Sequence, residues 1–490
     1  MRWFKLTALI ALVVAACLPL TAGASALSVT NNSDSGAGSL RQAILDANGT
    51  AGDDVISINV TGTVTLLSAL PAITENLTIT GPGASSFAID VNGTGTGLSI
   101  GAGVNSTIMG LTITSASDSG VKNSGSLILD KVTIATNATA ASGAGIDGES
   151  GSITLTNSTV KGNMASSGQG GGIYNAATLT VTNSTISENT AANVSGGGIY
   201  NAGGSVTLNA STVSNNSAFH DGGIENHGGS LTIADSTVSG NTARTGGGIH
   251  NEDGTLKLTD STVSSNGATV SGGGGIVNDG SLTVTNSTIS GNGAAGPGGG
   301  IANSNGATAT ISSTTIADNT LGSGGLGITN GGGISNAGTM TLFNTLLASN
   351  APDCFSSVVT SNGNNLDSDG TCILSASGDI SSGNASLGAL ANNGGATQTR
   401  ALLSGSAAID AGSDAACPPQ DQRGVARPQG AHCDIGAFEA QQGAATATPT
   451  AAAATPTLTP AGVATPTPTA APPSSISPPN TGDGGLASGR

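Results

Sequence analysis

Aromatic side chains are scarce, at 2% of 490 residues, with one Trp, two Tyr and six Phe. That scarcity weighs against a broad aromatic platform for sugar rings, since such platforms rely on exposed ring faces. Charge is scarce as well, at 8%, and lopsided: 12 Lys and Arg stand against 29 Asp and Glu, for a net charge of −17. A chain of this sign cannot displace counterions from nucleic acid and is not drawn to an anionic lipid surface. No run after the first two dozen residues is long and apolar enough to span a bilayer. The five cysteines include no C-x-x-C pair, which weighs against structural zinc. In their place stand 78 glycines and a 37% hydrophobic fraction made mostly of Ala, Val, Ile and Leu. A core of small and β-branched side chains is expected.

The first residues, MRWFKLTALIALVVAACLPLTAGASA, combine Arg2 and Lys5, an apolar stretch and Ala24-Ser25-Ala26. This is the pattern of a secretory signal over residues 1–26, cut before Leu27. The alternative is a lipobox at VAAC, with Cys17 as a lipidated terminus. Cleavage at 26 leaves Cys354, Cys372, Cys417 and Cys433, an even count that suits an exported disulfide protein. Of the three pairings, Cys354–Cys372 and Cys417–Cys433 close the shortest loops at the lowest entropic cost.

GGGIYN occurs at 170–175 and again at 196–201. Its Ile recurs as Val121, Ile146, Ile173, Ile199, Ile224, Ile249, Ile276, Ile301 and Ile334. A second phrase, NSTISEN at 183–189, returns as NSTVKGN, DSTVSGN, DSTVSSN and NSTISGN. Between them lies a short alternating stretch such as LTVT. All three parts alternate apolar and polar residues, which is strand periodicity, and Gly, Asn and Asp separate them. A period of about 25 residues with three short strands is the signature of a solenoid whose strands pair with their copies one coil away. The predicted fold is all-β: a right-handed parallel β-helix of roughly eleven three-strand coils, a rod about 50 Å long, with an N-terminal helical cap. Val160, Ile186, Val213, Val238, Val263, Ile289, Ile316 and Leu346 should stack inside. Asn163, Asn189, Asn216, Asn241, Asn266, Asn292 and Asn319 should form a ladder at the bend. Thr159, Thr185, Thr212, Thr237, Thr262, Thr288, Thr315 and Thr345 should form an outward column.

A solenoid needs its ends covered. SLRQAILDAN (39–48) places Leu40, Ala43, Ile44 and Ala47 on one helical face with Ser39 as N-cap, and DVISINV (54–60) reads as the next strand. The segments expected are a cap at 27–60, coils at 61–350, and C-terminal coils and a disulfide-bearing cap at 351–440. From 441 to 490 a Pro/Thr/Ala-rich spacer cannot form a core and reads as a stalk. GSLRQAI followed by DDVISI resembles the N-terminal segment of secreted bacterial β-helix proteins of the CSLREA type, with Gly38 where that motif has Cys. NNGGATQTRALLSGSAAIDAG (392–412) with DQRGVARPQGAHCDIGAFE (421–439) resembles the C-terminal segment of choice-of-anchor Q proteins. The repeats are similar to those of polymorphic outer-membrane proteins, which act as adhesins. These resemblances imply a right-handed β-helix, export and a cell-surface role, without a settled activity. PPNTG (478–482) resembles a sortase motif, but no apolar segment follows it.

The column outside the GGGI isoleucines reads Tyr174, Tyr200, Glu225, His250, Val277, and two positions further come His227, Glu252 and Asp279. His220, Asp221 and Asp253 lie near in sequence. Carboxylates on adjacent coils are the arrangement that glycoside cleavage uses, so Glu225, Glu252 and Asp221 are the catalytic candidates. Tyr174, Tyr200, His227, His250 and Asp253 are the ligand-binding candidates. His and Glu together are also metal donors. The bland alternative is a solvated wall with one polar column. Few bases are near, Arg244 and Lys257, which weighs against a lyase. In NNLDSDGTC (364–372), Asp367 and Asp369 with Gly370 look like part of a calcium loop that lacks its closing Glu; a turn orienting Cys372 is the alternative. The expected function is non-catalytic adhesion or contact with extracellular polysaccharide by an exported monomer. The rival is a polysaccharide lyase or glycoside hydrolase. No cofactor is required, and calcium is the one candidate ion.

Overall fold

The computed structural model describes residues 23–321, 331–355 and 359–441. The expected signal through residue 22, with Cys17, and the expected spacer beyond residue 441 lie outside the described residues. Two compact units divide the chain, Met1–Gln442 and Gly443–Arg490, and everything below concerns the first.

One coil shows how the sequence makes the fold. Ile173–Asn175, Thr178–Thr182, Thr185–Ser187 and Thr190–Ala191 are successive strands, each too short to be stable alone. Ile173, Leu179, Val181 and Ile186 point inward and are fully buried, and each contributes about 1.5–3 kcal/mol of apolar burial. Every strand pairs in parallel with its copy in the next coil, as in Ile173↔Ile199, Leu179↔Val206 and Ile186↔Val213. Three long parallel sheets result. Sheet I, which contains the GGGI strands, has 11 strands; sheets II and III, with the LTVT and STIS strands, have 14 each. A fourth, 8-stranded sheet of two-residue strands goes beyond the three-strand reading. It forms because the chain leaving the bend Asn runs straight for two residues before its loop begins.

The Ile column stacks from Val121 to Ile334 in unbroken register. The inner column of sheet III holds to Ile316, but its next member is Leu347 rather than Leu346, and Leu346 follows Thr315. STTIADN at 313–319 pairs with NTLLASN at 344–350 without a shift, so Leu347 takes the Ile316 place, Leu346 the Thr315 place, and Thr345 falls outside the threonine file.

Asn ladders run the length of the core. From Asn137 to Asn350, each Nδ2 donates to the Oδ1 of the next coil's Asn at 2.9–3.0 Å. Asn350 hands the file to Asp353 Oδ1 at 2.8 Å, an acceptor that ends it. A second ladder, from Asn175 through Asn201, Asn226, Asn251, Asn278 and Asn303 to Asn336, has the same bond at 2.7–2.8 Å. It lies directly behind the outward column of sheet I.

The N-terminal helix, Leu40–Asn48, caps the core through Leu40, Ala43, Ile44 and Ala47, and Ser39 Oγ accepts from Gln42 N. A strand the sequence pattern did not reveal, Ala26–Val29, pairs with Asp54–Ile58. It contains the expected cut site. At the other end the chain turns back over sheet III. Thr262 Oγ1 donates to Gln398 O, Thr288 Oγ1 to Gln422 Oε1, and Ala437 N donates to Thr315 Oγ1. Those threonines are therefore buried, whereas Thr159, Thr185, Thr212 and Thr237 are half-exposed. Disulfides join Cys354 to Cys372 and Cys417 to Cys433, the two short-loop pairings.

Candidate functional site

The outward file of sheet I is set by strand register. Lys122, Asp147, Tyr174, Tyr200, Glu225, His250 and Val277 occupy one position on successive coils, and His227 pairs with Glu252 two positions on. From Tyr174 to Val277 the inward neighbours are the second Asn ladder, which fixes the backbone under these side chains.

The connecting loops set how far the file is covered. The loop before the sheet I strand spans 166–172, 192–198 and 269–275 in the flanking coils but only 219–223 and 244–248 in the coils of Glu225 and His250. At the first position of the Gly run, Gly170, Gly196, Gly246 and Gly298 all have positive φ; in the Glu225 coil this place is taken by Asp221, at φ +54°. An Asp in the left-handed region costs more than a Gly. What the substitution gains is placement: Asp221 Oδ1 lies over Gly246, where any Cβ would collide with it, and reaches 3.1 Å from His250 Nδ1. The approach is off-axis, leaving both atoms without a hydrogen bond, so the contact is an ion pair. The other ring nitrogen, Nε2, meets Asp279 Oδ2 at 2.8 Å. Burial alone would lower the His250 pKa, but the two carboxylates outweigh it and push it up to about 11. His250 is thus an imidazolium fixed between acids. Asp279 is held below its usual value by His250, against the effect of burial.

Glu225 is 4% exposed. Burial first, and the Asp221 charge second, push its pKa up to about 9, with Ser195 and His250 opposing. It is protonated at neutral pH. Its Oε2 is buried with no partner in hydrogen-bond geometry, a state that costs about 1–3 kcal/mol. Glu252 remains ionised, its pKa lowered chiefly by the hydrogen bond from His227, with burial opposing and Glu225 assisting. His227 Nδ1 lies 2.8 Å from Glu252 Oε2. Donor atoms of Glu225, His227 and Glu252 all lie within 4.8 Å of one another.

Tyr174 and Tyr200 stack at 5.8 Å and 4° between planes, and Tyr200 continues onto His227 at 6.2 Å. Their faces are largely turned to each other. Tyr200 is 5% exposed, and burial followed by the Glu225 charge raises its hydroxyl to about 12. Tyr174 is half-exposed. Lys122 reaches Glu149 at 2.8 Å and Asp147 at 3.4 Å, and burial raises Asp147 despite Lys122.

The structure therefore brings together Asp221, Glu225, Glu252, His227, His250, Tyr174 and Tyr200. It sets Asp253 apart: this residue is an exposed turn residue at φ +53°. His220 bonds Thr245 Oγ1 at 2.8 Å and meets the edge of Phe219, over whose ring Arg244 lies at 4.5 Å. Lys257 is on sheet II, a different wall. Asp147 and Lys122 extend the file and were missed, although carrying the Tyr174 position two coils back would have found them. Gln169 and Ser195, which bond Tyr200 and Glu225, sit in the loops that lead into the sheet I strands and leave no periodic trace.

Asp367 and Asp369 serve a turn. Asp367 accepts from the backbone N–H groups of Cys372, Asp369 and Gly370, and Asp369 accepts from Thr371 and from Asp353 N. Asp353 is near enough to make a three-carboxylate group, but it already ends the Asn ladder and binds Ser368. Burial raises Asp367 to about 7.

No helix among the described residues is long and apolar enough to cross a membrane. None of the curated proteins compared matches the chain. A solved structure described as the crystal structure of pectate lyase Pel9A aligns at 12% identity over 85% of this chain and 96% of that one, with a TM-score of 0.38. Residues 105–289 match the family model described as the right handed beta helix region. With its parallel sheets in register from coil to coil, the chain is a right-handed parallel β-helix protein.

Proposed function

We propose that this is an exported surface protein that holds extracellular polysaccharide against sheet I without cleaving it. One observation carries the reading. On one outward file of sheet I, successive coils from Asp147 to Asp279 present stacked rings and carboxyl groups. Asp147, Glu149, Glu252 and Asp279 are hydrogen-bond acceptors along the rod axis, which suits the repeated hydroxyls of a neutral glycan and disfavours a polyanion. Tyr174 offers the accessible ring of the stack. Export rests on the signal-like N-terminus, and the spacer would hold the rod off the surface.

A second reading, hydrolysis, is favoured by one feature: protonated Glu225 beside ionised Glu252 is the split pair that acid–base catalysis uses. It ranks lower because Glu225 Oε2 is sealed from solvent, and a general acid must reach the glycosidic oxygen. The test is retention on immobilised neutral and acidic polysaccharides, with new reducing ends assayed in the same samples. Retention on neutral polymers, lost in Tyr174→Ala and without new ends, supports binding. Ends that vanish in Glu225→Gln establish hydrolysis instead. Absence of both defeats the polysaccharide reading.

A further inference from the structure

We infer that Glu225, His227 and Glu252 form a binding site for one divalent transition-metal ion of the zinc or cobalt class. Their donor atoms lie within 4.8 Å of one another. Donors around a tetrahedral ion at about 2.1 Å stand about 3.4 Å apart, so modest rotation of the two outer side chains closes the set. Both can rotate, since the side chains of His227 and Glu252 are 52% and 39% exposed. The inner donor is fixed: Glu225 lies on a strand backed by the Asn226 rung of the second ladder.

Proximity of acids and a histidine is common on surfaces. What separates this group is Glu225 Oε2, in a residue 96% buried, with no hydrogen-bond partner. A carboxyl oxygen left bare inside a protein lacks a donor or a cation, and an ion bound there would displace the proton that Glu225 otherwise carries. The surroundings favour a cation. Asp221 and Asp279 hold the neighbouring His250 between them, so that group carries a net negative charge. No Lys or Arg is among the ion-pair partners of Glu225, His227 or Glu252.

The donor set identifies the class of ion. One imidazole with two carboxylates suits zinc, cobalt or manganese; calcium takes six to eight oxygens. The three ligands come from one side, and the half-exposed face leaves remaining positions to water. In the metal-free state the His227–Glu252 hydrogen bond closes the outer edge, so ion binding exchanges that bond for two coordinate bonds. The inference stands apart from the polysaccharide reading, because metal uptake is measured with no glycan present and either can fail alone.

The test uses the full chain, purified without a histidine tag and stripped with chelator. It is titrated with Co²⁺ under visible spectroscopy and with Zn²⁺ by calorimetry. The expected result is uptake of one ion per chain with ligand-field bands, weakened by at least about tenfold in both His227→Ala and Glu252→Gln. His220→Ala, which alters an exposed histidine outside the group, should bind as the wild type does. His227→Ala changes an exposed side chain, so its fold is checked by circular dichroism, and Glu252→Gln gives an isosteric second variant. Absence of stoichiometric uptake by the wild type, or uptake unchanged in both variants, overturns the inference.

Discussion

Removing one rung of the first Asn ladder should cost far more than an ordinary polar deletion. Asn241 is fully buried. Its Oδ1 accepts from Asn216 N and from Asn216 Nδ2, and its Nδ2 donates to Val213 O and Asn266 Oδ1, all at 2.9–3.0 Å. Asn241→Ala therefore breaks four bonds at once. The Asn216 backbone N–H loses its one acceptor in a dry site, which costs about 1–3 kcal/mol, and the three remaining losses add about 0.5–1 kcal/mol each, for a total of about 2.5–6 kcal/mol. Asn193→Ala, which removes a single exposed bond to Ser166 O, should cost less than about 1 kcal/mol. Asn241→Asp tests the direction of the ladder. It keeps the acceptor toward Asn216 but turns an oxygen toward Val213 O and Asn266 Oδ1, so it should destabilise more at neutral pH than in mild acid. A coil array can open locally, so the assay is hydrogen exchange resolved by coil. Amides of the Asn216 and Asn241 coils should lose protection about a hundredfold or more in Asn241→Ala. Protection within about threefold of wild type would refute the claim that the ladder, rather than apolar stacking alone, holds the coils in register.

Glu225 and the C-terminal return make further predictions. Because the Glu225 pKa rises from 4.5 to about 9 on folding, the folded chain keeps a proton that the unfolded chain releases, and wild-type stability falls as pH rises from about 4.5 to 9. Glu225→Gln abolishes that penalty, so in denaturant titrations it should match wild type near pH 4 and exceed it by up to about 3 kcal/mol near pH 7; equal stability at both pH values would refute the buried neutral acid. Arg427 has a fully buried side chain that donates to Asp434 O and Gly436 O and lies 3.6 Å from Glu439. Arg427→Met should strand Glu439, destabilise the return over sheet III by about 3–5 kcal/mol, and speed proteolysis within 396–440 while leaving the central coils protected; a cleavage pattern like that of wild type would show that the return does not depend on this pair.

The architecture was legible because each coil restates the same constraints. The Ile file and the first Asn ladder could be read off spacing alone, and the helix at Leu40–Asn48 declared itself by its face and its Ser39 cap. Legibility failed where constraint comes from distant chain. Thr262, Thr288 and Thr315 look identical in sequence to Thr159 and Thr185, yet they lie beneath Gln398, Gln422 and Ala437, contacts more than a hundred residues away in sequence. Leu346 reads one residue out of place because Leu346 and Leu347 are both apolar; the spacing to Asn350 is what makes Leu347 the counterpart of Ile316. The second Asn ladder was written plainly in GGGIYN, but its Asn read as part of a turn because it follows an outward residue. In a strand that alternation is what places it inside.

The site was half legible, for a reason particular to repeats. When each coil repeats the last, a departure that strains the backbone or buries charge has no structural explanation in the pattern. Asp221 is such a departure: a glycine would sit at φ +54° more easily, and it would not present a carboxylate to His250. Glu225 is another, since a Thr or Tyr at that position would satisfy the strand without a buried acid. The two fall on one coil, the loop over that coil is short, and the next coil carries His250 and Glu252 in register with Glu225 and His227. Asp221 in the place of a glycine, buried Glu225 and the His250 it adjoins meet on these two adjacent coils, and the proposed binding wall of sheet I rests on that meeting.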